Sequence, residues 1–125
     1  MKKLARRTIL AAAPALAFGG PLLAARPARA AKQYGPGVTD TEIKIGNTGP
    51  YSGPASSYSV IGKTEAAYFN KINAEGGING RKINFISYDD GYQPPKTVEM
   101  VRKLVEEDRV LCTFNTLGTP CNTAI

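Results

Sequence analysis

The side chains best suited to chemistry in this sequence are few. They are the adjacent carboxylates Asp89 and Asp90, the hydroxyls of Tyr51, Ser52 and Tyr58, the run Thr116-Leu117-Gly118-Thr119, and the thiols Cys112 and Cys121. Histidine is absent from all 125 positions, which removes imidazole bases, catalytic triads and most zinc sites. Ser52 lies in Gly49-Pro50-Tyr51-Ser52-Gly53, out of register with a G-x-S-x-G nucleophile turn and with no base to activate it. Asp89 would read as a ribose-binding acid only behind a G-x-G-x-x-G loop, but the glycines here fall at 46, 49 and 53. As half of an acid/base pair it lacks a second group of tuned acidity, and adjacent acids before Gly91 are expected to form a turn. No cofactor and no metal site is expected.

What remains suits binding. The small, polar loop Thr116-Leu117-Gly118-Thr119 precedes Pro120, a helix start, and a helix N-terminus offers unpaired N–H groups and a positive dipole end to a carboxylate or phosphate. The other reading is that Thr119 simply caps that helix, and the residues leave both open. Tyr51 and Tyr58 flank the loop Thr48 to Ser57 and can supply apolar walls with hydroxyl tips; Tyr58 serves equally as a packing residue at a helix entry. Cys112 falls mid-strand in Val110 to Phe114 and Cys121 after the next loop. Bridging needs Cα atoms within about 7 Å, so no disulfide is expected and Cys112 should be a buried, small apolar residue.

The elements that position these groups follow from periodicity. Ile43-Lys44-Ile45 alternates apolar and polar ahead of the turn-rich Thr48 to Pro54, which predicts a first strand at 42–47. From Tyr58 the period turns helical: Ile61, Tyr68 and Ile72 make a stripe that ends at Gly76-Gly77, a left-handed C-cap, so a helix is predicted over 59–75. Ile83, Phe85, Ile86 and Tyr88 read as a second strand within 81–89. Pro94-Pro95 fits a first helical turn, and Val98, Val101, Leu104 and Val105 continue it to about 107. Val110 to Phe114 is a continuous apolar run, as expected of a parallel strand buried on both faces. Strand–helix–strand–helix–strand is a βαβαβ unit. The fold class is therefore α/β, a parallel sheet with helices on both faces, whose ligands sit at the carboxyl ends of the strands.

Charge and export signals set the compartment. Lys2, Lys3, Arg6 and Arg7 precede an uncharged apolar run from Thr8 to Ala25, and Ala28-Arg29-Ala30 is a small-x-small cleavage site, so 1–30 read as a signal peptide and the chain as periplasmic. Pro14, Gly19, Gly20 and Pro21 interrupt the run, against a membrane anchor, and Arg6-Arg7 resembles a twin-arginine signal. Six of the 16 basic residues and none of the 10 acidic ones lie in this segment, so the mature part carries no net charge and no nucleic-acid partner is expected. Residues 31–41 read as a flexible leader, and 42–125 as part of one small α/β domain whose last strand is an apolar edge. The chain is expected to be a piece of a longer protein that does not fold stably alone.

The strings Glu42-Ile43-Lys44-Ile45-Gly46 and Ser52-Gly53-Pro54 with Tyr58 four residues on, then Ile72-Asn73-Ala74-Glu75-Gly76-Gly77-Ile78-Asn79-Gly80 followed by Ile86-Ser87-Tyr88-Asp89-Asp90, resemble the leucine/isoleucine/valine-binding proteins. These are periplasmic receptors of branched-chain amino-acid ABC transporters. The resemblance implies a two-lobed protein that closes on its solute and delivers it to a membrane permease, is not an enzyme and acts as a monomer. It places the solute carboxylate at Thr116, Leu117, Gly118 and Thr119 and a ring wall at Tyr58. The family's amino-acid receptors are serine-rich where this chain has Thr116-Leu117-Gly118-Thr119, so an amide or aromatic acid is as compatible as a branched-chain amino acid. An exported α/β enzyme and a periplasmic sensor domain are the rival classes on this fold.

Overall fold

The computed structural model describes residues 32–125, so the signal-peptide reading of 1–30 lies outside the described residues. Three strands, β1 (Glu42–Gly49), β2 (Lys82–Asp89) and β3 (Cys112–Thr113), alternate with three helices, α1 (Ser59–Ala74), α2 (Pro94–Glu106) and α3 (Thr119–Ala124); a 3-10 turn (Ser56–Tyr58) leads into α1. All strands are parallel in the order β2-β1-β3, with Ile45 paired to Phe85 on one side and Cys112 on the other. The α/β reading holds, with element ends shifted by one or two residues.

Helices cover both faces, and side-chain alternation assigns each to its own. Phe69 of α1 packs against Phe85 of β2 and Phe114 beyond β3, with ring centroids 5.2 and 5.7 Å apart. Gly46, one residue past the Ile45 that pairs with Phe85, faces the opposite way. A Cβ there would stand 2.9 Å from both Leu104 methyl carbons, so glycine is what lets α2 approach the sheet. Leu104 and Cys121 are fully buried on this α2 side.

Three expectations are corrected. Phe69, not Tyr68, is the aromatic ring that α1 packs on the sheet; Tyr68 is 58% exposed and lies edge-on to the Phe69 ring. The third strand is two residues long and exposed, because only β1 flanks it among the described residues. Hence Cys112 is exposed and Cys121 is the buried thiol, set in α3 where it packs on α2; both are free. Part of the leader is tied to the sheet: Val38 bridges Ile43 in antiparallel sense, Lys44 N–H donates to the Gly37 carbonyl at 2.6 Å, and Arg81 lies over the Tyr34 ring.

The exit of α1 is fixed by its asparagine and glycines. Gly77 has φ +75°, donates its N–H to the Ile72 carbonyl, and lies so close to Arg81 that a Cβ would fall 2.1 Å from the Arg81 carbonyl oxygen. The Asn73 side chain accepts from Ile83 N–H and donates to the Ile83 carbonyl, each at 2.7 Å, on the outer edge of β2. Replacing Asn73 by alanine leaves both groups without that partner and is expected to destabilise the full-length protein by about 1–3 kcal/mol. Urea unfolding at equilibrium checks this, and a midpoint equal to wild type would mean that Asn73 contributes nothing to the edge.

Candidate functional site

The carboxyl ends of β1 and β3 deliver two loops to one end of the sheet, and the N-terminus of α1 stands beside them. Between these elements lies a cleft lined by Asn47, Gly49, Tyr51, Tyr58, Ile61, Gly62, Asn115 and Leu117, with a cavity of only about 10 Å³. It is a shallow wall and does not enclose a cavity of ligand size. No lining side chain is charged.

A chain of hydrogen bonds shapes this wall. The Asn47 amide, 3% exposed, donates to the Phe114 and Asn115 carbonyls at 2.8 Å each. Its oxygen accepts from Ser87 Oγ at 2.8 Å. A hydroxyl carries one proton, so Tyr51 Oη must be the donor to Ser87 Oγ at 2.5 Å. Gly62 leaves room for that ring, since a Cβ would come within 2.1 Å of the tyrosine oxygen. On the α1 side, Asn115, held at φ +50°, donates its amide to Glu65 Oε1.

The Asp89-Asp90 pair organises the neighbouring turns, as expected, and does more. The Asp89 carboxylate accepts from the Ser52 hydroxyl at 2.5 Å and from the N–H groups of Tyr51, Ser52 and Gly91 between 2.9 and 3.1 Å, with Lys96 Nζ at 3.5 Å. It thus fixes the start of the first loop onto the end of β2. The Ser52 hydroxyl, helped by these N–H groups, holds its pKa well below the usual carboxylate range against the opposing effect of partial burial. Buried Asp90 accepts from Tyr92 N–H and Thr97 Oγ1, closing the turn into α2. Nearby, burial and the hydrogen bond to Asp108 raise the pKa of Tyr88.

Of the expected site residues, Tyr58 and Leu117 line the cleft together, with Tyr58 55% exposed. Thr116, Gly118 and Thr119 lie beside it. Thr116 Oγ1 is committed to Asn122 Oδ1 at 2.6 Å, and Leu117 N–H to the Thr48 carbonyl at 3.2 Å. Thr119 does not cap α3: Gly118 holds the N-cap position at φ +108°, without a side-chain bond, against the Tyr92 ring. Sequence reasoning missed Asn47, Ser87, Glu65 and Asn115. Asn47 carried one usable signal, a polar side chain at the last position of the predicted first strand. Among the described residues there is no group of three metal-ligating side chains, and no helix long and apolar enough to cross a membrane.

A family model described as periplasmic binding protein matches residues 42–125. The chain belongs to this family. An amino acid binding protein of Pseudomonas aeruginosa is 36% identical over 73 residues, 56% of this chain and 19% of that protein. The Leu/Ile/Val-binding protein of Escherichia coli is 35% identical over 69 residues, 53% and 18%. Among solved structures, a fatty acid ABC transporter substrate-binding protein from Thermomonospora curvata superposes with a TM-score of 0.64 at 34% identity, covering 74% of this chain and 23% of that one. The isoleucine complex of a branched-chain amino acid transporter substrate binding protein from Streptococcus pneumoniae gives 0.62 at 25% identity, covering 67% and 24%. This periplasmic binding protein chain thus spans about a fifth to a quarter of the length of these relatives, all four of which are binding proteins.

The Asp89 bonds carry a pH signature. A carboxyl whose pKa is lowered on folding stabilises the fold fully above its unfolded value of about 3.9, and this is lost as pH falls from there toward the folded pKa. Asp89→Asn is therefore expected to cost about 1–2 kcal/mol at neutral pH and progressively less below about pH 4. Urea unfolding of wild type and variant across pH 3–7 measures it; a gap that does not narrow in acid would mean that the ionised form is not what these donors hold.

Proposed function

We propose that this chain is part of the first lobe of an extracytoplasmic solute-binding receptor, exported through a signal peptide cut after Ala30. The receptor binds a small carboxylate between two lobes and hands it to an ABC permease. The observation that carries the reading is the joint placement of Tyr58 and Leu117 on one uncharged wall at the carboxyl ends of parallel strands, in a family of periplasmic binding proteins. Its shallowness suits one face of a ligand, with closure of a second lobe completing the enclosure. In this reading Tyr58 stacks on the apolar body of the solute. The solute carboxylate lies at Thr116–Thr119, taken by the Gly118 and Thr119 N–H groups, since the Thr116 hydroxyl and the Leu117 N–H are already bonded within the chain. The receptor acts as a monomer and performs no chemistry on the solute.

Leucine at 117 favours solutes with an extended or flat apolar body. Branched-chain amino acids, aromatic acids, and aliphatic acids of the kind named for the Thermomonospora curvata protein all qualify as carboxylates, and an amide would offer the same N–H groups a neutral carbonyl.

The test is thermal unfolding of the full-length mature protein with L-leucine, benzoate, benzamide and octanoate. A true solute at a hundredfold excess over its Kd adds about 2.7 kcal/mol and raises Tm by several degrees. Tyr58→Ala is expected to weaken that binding by about tenfold with little change in the ligand-free Tm, because this ring is more than half exposed. Consumption of any of these compounds would instead establish an enzyme, and absence of every shift would sink the small-carboxylate reading.

A further inference from the structure

Glu65 has no role in the function proposed so far, yet its placement is unusual for a helix surface residue. It lies on α1 seven residues after Tyr58, two turns along the same face. Its Oε1 accepts the Asn115 amide, while Oε2 is sealed from solvent with no hydrogen-bond partner among the described residues. The surroundings are aromatic: Glu65 shares an apolar recess with Tyr68, Phe69 and Phe114. No lysine or arginine pairs with it among the described residues. A carboxylate oxygen buried without a partner costs stability, so stability alone does not account for an acid at this position.

Asn115 is the other half of the contact. It is a non-glycine residue in the left-handed region at φ +50°, its carbonyl is gripped by Asn47, and its own side chain lines the cleft two residues before Leu117. Glu65 holds the side-chain amide of Asn115 and Asn47 its backbone carbonyl. The loop that carries Leu117 is thereby tied to the same helix whose first turn follows Tyr58. From this geometry we infer that Glu65 is a positioning residue: through Asn115 it sets the separation of Tyr58 and Leu117, and so the width of slot offered to the solute. The inference rests on the receptor reading for its consequence in binding, but the clamp itself is testable without a solute.

Hydrogen exchange on the full-length, ligand-free protein reads the clamp directly. With Glu65→Ala, the Leu117 amide, which donates to the Thr48 carbonyl, is expected to exchange about tenfold faster, the equivalent of one lost charge-assisted hydrogen bond, while the amides of β1 and β2 keep their rates. Glu65→Gln keeps the oxygen that accepts from Asn115 and is expected to restore slow exchange, a rescue that simple helix destabilisation would not produce. Unchanged exchange in Glu65→Ala, or acceleration spread evenly over β1 and β2, overturns the proposal. Tm shifts with L-leucine and benzoate supply the second arm. Glu65→Ala is expected to lower the shift of whichever compound stabilises wild type, and Glu65→Gln to restore it; a local exchange effect with an undiminished shift overturns the role in solute binding while leaving the clamp. If neither compound shifts wild type, the small-carboxylate reading fails for both, and the exchange result still decides whether Glu65 holds the loop.

Discussion

The amide of Asn47 is buried where the three strands end, and three of its four hydrogen-bonding positions are engaged, two toward the chain after β3 and one toward Ser87 on β2. A buried amide left without partners is costly, so Asn47 and the carbonyls of residues 114–115 hold each other in place. Tyr51 is fixed in turn through Ser87, and Asp89 holds the main chain of Tyr51 and Ser52 from below. Both loops that form the cleft therefore depend on polar groups from strand ends, and the apolar packing of Phe69 and Leu104 only brings those ends together.

That division explains what could be read in advance. Strand and helix positions follow from apolar periodicity and from Gly76-Gly77 and Pro94-Pro95, which act locally, and these were legible to within a residue or two. The parallel α/β arrangement followed from element order. The exposure of Cys112 was not legible, because it depends on what flanks β3 and not on the composition of Val110 to Phe114. The Tyr68 stripe failed for a related reason: periodicity locates an apolar face, but the rings of Phe85 and Phe114 decide which aromatic packs.

The candidate cleft was legible at the level of loops and less so at the level of atoms. Tyr58 and Leu117 converge on one cleft, as topology requires of residues after β1 and β3. The side chains that shape this cleft bond to partners 36 to 68 residues away in the chain, and no local pattern marks such pairings. Thr119 shows the limit at close range. A threonine before proline looks like a cap, but Gly118 reaches the positive φ that the turn requires and leaves Thr119 inside the helix.

The paired hydrogen bonds of Asn73 to Ile83 have a consequence for association. In a parallel sheet one residue offers both its N–H and its carbonyl on the same side, and on the outer rim of β2 those two groups are what an incoming chain would seek. Asn73 occupies them as a strand one residue long. A neighbouring molecule seeking to extend the sheet at that rim must first evict a side chain anchored in α1, so the exit of a helix acts as a guard against fibrous self-assembly.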